Sequence, residues 1–132
     1  MTTFGLTRKH TVVLLVEDDK QTREFYRNVI KAAGYEVAAV EDGLSALRRI
    51  DFEPPDVIVL DLVLPRLAGI DVFQELQSKT GTRDIPVIAV TGADRLLDVD
   101  TAAFHYFLRK PVTPEVLVAT IDDALRLQQR IG

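Results

Sequence analysis

PPDVIVLDLVLPRLAGID, residues 54–71, decides how the rest of the chain is to be read. Val57–Leu60 is apolar at every position and rich in β-branched residues, with no polar alternation. A strand of that texture is buried on both faces, which is the mark of a parallel sheet covered by helices on either side. The run then ends in a carboxylate, Asp61. A lone carboxylate closing a buried strand is costly without a partner. The stretch therefore implies an architecture and, at its end, a site.

Working outward, the same texture returns at Val12–Val16, Val37–Val40 and Val87–Val90, and more weakly at Phe104–Leu108. Helical spacing fills the gaps. Gln21–Ala33 places Phe25, Val29, Ile30 and Ala33 on one face, and Gly43–Ile50 does the same with Leu44, Leu47 and Ile50. Ile70–Ser78 carries Val72, Phe73 and Leu76, and Pro114–Gln129 carries Leu117, Ile121, Ala124 and Leu125. Gly34 suits the position just past a helix end, and Asp19 the N-cap of the first helix. Thr113-Pro114-Glu115 supplies a cap, a proline at the first helical position and an early acid. Strict alternation of five strands with helices predicts an α/β domain, a doubly wound five-stranded parallel sheet with helices on both faces.

Residues 1–10 are patternless and are expected to form a flexible tail; residues 11–131 read as a single domain. The last helix runs almost to Gly132, so no output domain is expected. The chain has 132 residues, 47% hydrophobic and 27% charged, as a soluble globular protein does. Its net charge of −4 argues against direct nucleic-acid binding. There is no cysteine, which excludes disulfides, thiolate metal sites and a cysteine nucleophile. The N-terminal residues lack the apolar core of a secretory signal, and the apolar runs are far too short to span a bilayer. The expected location is the cytoplasm, with no membrane contact. His10 and His105 stand apart and make no credible metal or catalytic site.

In an open parallel sheet, ligands bind beyond the carboxyl ends of the strands. There the first strand runs into Glu17-Asp18-Asp19, the third into Asp61, the fourth into Thr91-Gly92 and the fifth into Arg109-Lys110-Pro111. Carboxylates crowded together raise one another's pKa, and a hard divalent cation such as Mg²⁺ resolves the repulsion. With such a cation an aspartate can attack a phosphoryl group, while a lysine and a hydroxyl hold its oxygens.

With those residues in hand, the chain resembles the receiver domain of bacterial two-component response regulators. The resemblance rests on VLLVEDD at 13–19, EDGLSAL at 41–47, VIVLDLVLPRLAGID at 57–71, VIAVTGAD at 87–94 and FLRKP at 107–111. It implies a flavodoxin-like strand order, 2-1-3-4-5. It implies Asp61 as the phosphorylated aspartate and Asp18 as a direct Mg²⁺ ligand, with Glu17 acting through water and the backbone carbonyl of Val63 completing the set. Thr91 becomes the switch hydroxyl and Lys110 the lysine that pairs with the phosphoryl group. Phe107 takes the position of the aromatic that reports activation, and Lys110-Pro111 is expected to be cis. The implied phosphodonor is a histidine kinase or a histidine phosphotransfer protein, with an output protein as the second partner.

The chain also departs from that pattern. Nineteen positions separate Thr91 from Lys110, fewer than the family usually has, and the segment from Ala93 to Phe104 has a weak helical pattern. The fourth helix is therefore expected to be short or irregular, and a homodimer, if formed, to use a non-standard mode. Val63 and Ala93, two residues beyond Asp61 and Thr91, cannot orient an attacking water, so slow self-dephosphorylation is expected. The same Val63 counts against an aspartyl-phosphate hydrolase, which would want an acid there. Glu17-Asp18-Asp19 counts against a flavin phosphate loop. The alternative function is a pseudo-receiver that docks partners without phosphorylation.

Overall fold

The computed structural model describes residues 10–92 and 104–131. The described elements follow in the order β1 (Val12–Val16), α1 (Lys20–Ala32), β2 (Glu36–Val40), α2 (Gly43–Phe52), β3 (Val57–Asp61), α3 (Gly69–Gln77), β4 (Val87–Thr91), β5 (Tyr106–Arg109) and a C-terminal helix, Pro114–Ile131. All strands pair in parallel in the order β2-β1-β3-β4-β5. The order reverses at β1, so β1 and β3 lie side by side at the switch point, where their carboxyl ends open a crevice. The fourth helix expected in the segment to Phe104 lies outside the described residues except for Phe104 itself, and the expected tail lies outside them except for His10.

The uniformly apolar strands are explained by what covers them. Val13, Leu15, Val57, Val59, Ile88 and Val90 point to one face and pack with Ile30 of α1 and with Leu117 and Ile121 of the C-terminal helix. Leu14, Val16, Ile58, Leu60 and Ala89 point to the other and pack with Ala46 and Ile50 of α2 and Val72 and Leu76 of α3. Successive residues of a strand serve opposite faces, so no position is left for a polar side chain until the strand ends.

The helix ends follow local chemistry. Asp19 caps α1, its Oδ2 accepting from Thr22 N at 2.9 Å. Thr113 Oγ1 accepts from Val116 N at 3.2 Å at the start of the C-terminal helix. Gly34 ends α1 at φ 100°, the left-handed conformation a glycine adopts without a Cβ penalty. The Lys110-Pro111 bond is cis, as expected. Two expectations need correcting. Phe25 does not share the buried stripe of α1: it is 50% exposed, and Tyr26 fills the core at 5%. Leu44 of α2 is likewise exposed while Ala46 is buried. The rest of each expected stripe faces the core, Val29, Ile30 and Ala33 for α1 and Leu47 and Ile50 for α2, so only the first member of each falls outside it.

The connection from β3 to α3 folds back onto the end of its own strand. Gly69 N donates to Leu62 O at 3.1 Å, and a Cβ at Gly69 would sit 2.2 Å from Asp61 O and 2.6 Å from Leu62 Cα. These are backbone atoms and cannot swing aside. Gly69→Ala should therefore destabilise the domain by about 1–3 kcal/mol, the usual cost of overpacking. Urea unfolding followed by circular dichroism checks this, and an unchanged midpoint would contradict it.

Candidate functional site

Each strand places its last residues at one edge of the sheet. Backbone pairing carries β1 one residue further, because Glu17 N donates to Val40 O at 3.0 Å. Glu17 is thereby drawn inward to 2% exposure, while Asp18 turns outward and is exposed. Asp61 closes β3 and is 5% exposed. Single oxygens of Glu17, Asp18 and Asp61 all lie within 4.8 Å of one another. Asp19 is not part of this group, since its carboxylate is taken by the N–H and hydroxyl of Thr22, which hold its pKa below the ordinary value.

Lys110 binds the cluster together. Its Nζ lies 2.8 Å from Asp61 Oδ2 and 2.7 Å from Glu17 Oε1. Its own position is set by the sheet, because Lys110 N donates to Thr91 O at 2.9 Å, one step past the last β4–β5 pair. Burial works to lower the Lys110 pKa, but the bonds to Asp61 and Glu17 outweigh it and hold the ammonium above its ordinary value. For Glu17, burial raises the pKa, and the Lys110 ammonium and the N–H of Asp19 reverse only part of that rise. The other oxygen of Asp61, Oδ1, accepts from Val63 N at 2.9 Å. The Asp61 carboxylate is thus held on both oxygens and cannot rotate freely.

Thr91 ends β4, the neighbour of β3, and its Oγ1 is the buried side-chain polar atom left without a hydrogen-bond partner among the described residues. A buried unpartnered hydroxyl is uncommon and calls for an explanation. The Val63 side chain is exposed and apolar. Phe107 packs on the α2/α3 side of the sheet, its ring centroid 6.1 Å from that of Phe104. Ala93 lies outside the described residues.

The sequence missed one residue and one contact that the fold brings to the site. Arg23, in the first turns of α1, donates through Nη1 to the carbonyls of Glu17 at 3.0 Å and Asp18 at 3.2 Å. It braces the acidic loop through backbone and leaves the carboxylates available. It also went unread that Lys110 would bridge Glu17 as well as Asp61. Neither contact has a spacing signature, since both depend on where a helix turns or a strand ends.

The donor set is all carboxylate oxygen, clustered around a single ammonium, and suits a hard divalent cation. Such a cation would take up charge that Lys110 alone does not balance.

Residues 13–122 match the family model described as the response regulator receiver domain. Response regulator MprA of Mycobacterium leprae (strain TN) is 38% identical over 118 residues, covering 86% of this chain and 50% of that protein. The chain thus spans about half the length of the curated relatives it matches. Among solved structures, the chemotaxis response regulator CheY4 of Vibrio cholerae superposes with a TM-score of 0.79 at 25% identity, covering 88% of this chain and 99% of that one. The bacteriophytochrome response regulator RtBRR superposes with a TM-score of 0.77 at 33% identity, covering 87% and 78%.

The raised Lys110 pKa gives a pH prediction for the protein without divalent cation. Stability from a lysine held above its unfolded value, roughly 10.4, is fully present below that pH. It is lost as pH rises through the higher folded value. Lys110→Met should therefore be less stable than wild type from pH 7 to about 9, and the gap should close in more alkaline buffer. Urea midpoints from pH 7 to above roughly 10.4, the unfolded lysine value, test it; a gap that stays constant to high pH would rule the ion pair out as its source.

Proposed function

The chain belongs to the response regulator receiver domain family, and on that premise we propose that Asp61 is its phosphoacceptor in two-component signalling. The observation that carries the reading is the preparation of one carboxylate. Asp61 is buried, oriented by Val63 N–H and the Lys110 ammonium, and neighboured in the next strand by the unpartnered hydroxyl of Thr91.

Glu17, Asp18, Asp61 and the backbone carbonyl of Val63 would hold Mg²⁺, which when bound offsets the repulsion between the carboxylate and an incoming phosphoryl group. An oxygen of Asp61 attacks phosphorus, the bond from phosphorus to a donor histidine nitrogen breaks, and the imidazole leaves with that electron pair. Lys110, protonated throughout the neutral range, then shares its hydrogen bonds with the phosphoryl oxygens. Thr91 Oγ1 donates to another of those oxygens and so acquires the partner it lacks. The donor is a histidine kinase or a histidine phosphotransfer protein. Movement of Thr91, passed to Phe107 and the face of β5, is the switch that a partner protein reads.

Val63 sets the lifetime. Its exposed side chain can neither donate to nor accept from a water aimed at the aspartyl phosphate. The chain is therefore a phosphoacceptor and not a hydrolase.

Incubation with acetyl phosphate and Mg²⁺ followed by intact mass should show one added phosphoryl group in wild type and none in Asp61→Asn. No gain with a small donor or a kinase would leave a docking role that does not depend on phosphorylation. After donor removal, with Mg²⁺ present, the aspartyl phosphate should persist for minutes or longer. A lifetime of seconds would exclude this role for Val63.

A further inference from the structure

The segment Glu41-Asp42-Gly43-Leu44-Ser45 contributes nothing to the acidic cluster, yet it is built as closely as the cluster is. Asp42 is buried at 3%. Its Oδ1 accepts from Ser45 N at 2.7 Å and caps α2, while its Oδ2 takes the guanidinium of Arg66. The same guanidinium reaches Ser45 Oγ at 3.3 Å. The N–H of Ser45, then the Arg66 guanidinium, hold the Asp42 carboxyl below its ordinary pKa. A third feature closes the contact, because a Cβ at Gly43 would lie 2.1 Å from Leu67 O. Only a glycine lets the β3–α3 loop lie so close to the start of α2.

Arg66 itself sits at φ 66°, the positive-φ non-glycine residue among those described. Left-handed backbone at such a residue is uncommon and persists where its surroundings over-determine it. Here the surroundings are a backbone bond across the residue, Leu67 N donating to Pro65 O at 2.7 Å, together with the Asp42 carboxylate and the Ser45 hydroxyl. Arg66 lies three residues beyond Val63, whose N–H orients Asp61. An arginine that accepts an unfavourable backbone to reach a buried acid on another element is placed for that contact.

We propose that Arg66 is a positioning residue: by binding Asp42 and Ser45 it ties the β3–α3 loop to the start of α2 and holds the Val63 peptide against Asp61. The tether thereby sets the affinity of the acidic cluster for a divalent cation and the rate of phosphoryl uptake. The second effect rests on the phosphoacceptor reading of Asp61; the first does not.

Four variants test it, Arg66→Ala, Arg66→Gly, Arg66→Lys and Asp42→Asn. Three readouts are compared with wild type: Mg²⁺ affinity by calorimetry, uptake from acetyl phosphate by intact mass, and urea unfolding without Mg²⁺. Arg66→Ala and Arg66→Gly should both bind Mg²⁺ more weakly by about tenfold or somewhat less, at or below the low end of what outer partners of metal ligands cost. Uptake should slow in the same two variants, and Arg66→Lys should recover part of both losses. Asn still serves as an N-cap, so Asp42→Asn should keep α2 while losing affinity and rate. Arg66→Gly relaxes the backbone, and wild-type affinity and uptake in that variant would overturn the proposal even if its urea midpoint moved. If no protein gained a phosphoryl group while the Arg66 variants still bound Mg²⁺ weakly, the phosphoacceptor reading would fall and the tether would stand.

Discussion

Glu17 and Asp61 end neighbouring strands, both almost wholly buried, and the ammonium of Lys110 lies within 2.8 Å of each. Desolvated carboxylates placed close together repel, and the ammonium between them offsets that repulsion. The lysine in turn occupies that place because its backbone continues the pairing of β5 with β4. One interaction therefore joins three strands at their carboxyl ends. The sheet positions the charge, and the charge lets the sheet end in acids instead of apolar residues.

Around that centre, each loop is braced through its backbone. Arg23 holds the Glu17 and Asp18 carbonyls, and Val63 N–H holds Asp61. Gly43 and Gly69 permit close backbone approach on either side of the β3–α3 loop. Glu17 and Asp61 are held by the N–H groups of Asp19 and Val63 and by Lys110, the cation that pairs with them among the described residues. Carboxylates clustered around one ammonium suit the cation and phosphoryl group proposed for the site. Thr91 fits the same logic, because a hydroxyl buried without a partner is available to one that arrives.

Much of this was legible beforehand. Uniformly apolar runs such as VIVL at 57–60 require cover on both faces, and the structure supplies it with α1 and the C-terminal helix on one side and α2 and α3 on the other. Asp61, Glu17, Asp18, Thr91 and Lys110 were recognisable because strand ends in a parallel sheet converge. Less legible was where the buried stripe of a helix begins. Phe25 is the more apolar residue, yet Tyr26 is the one buried. One residue is a rotation of about 100° on a helix of 3.6 residues per turn, and packing on the sheet decides it. The segment 93–103, where the sequence departs most from the family pattern, lies outside the described residues.

By itself, the sequence determined the parallel α/β architecture, the strand order implied by its motifs, and the membership of the acidic edge. These are set by local burial pattern and by the rule that strand ends share one side. The tertiary structure alone decided who pairs with whom: Lys110 with Glu17 as well as Asp61, Arg23 with two carbonyls, and Arg66 with Asp42. Those pairs join residues from different elements, up to 93 positions apart for Glu17 and Lys110. Their partners are chosen by loop paths and side-chain reach, neither of which leaves a periodic signal in the chain.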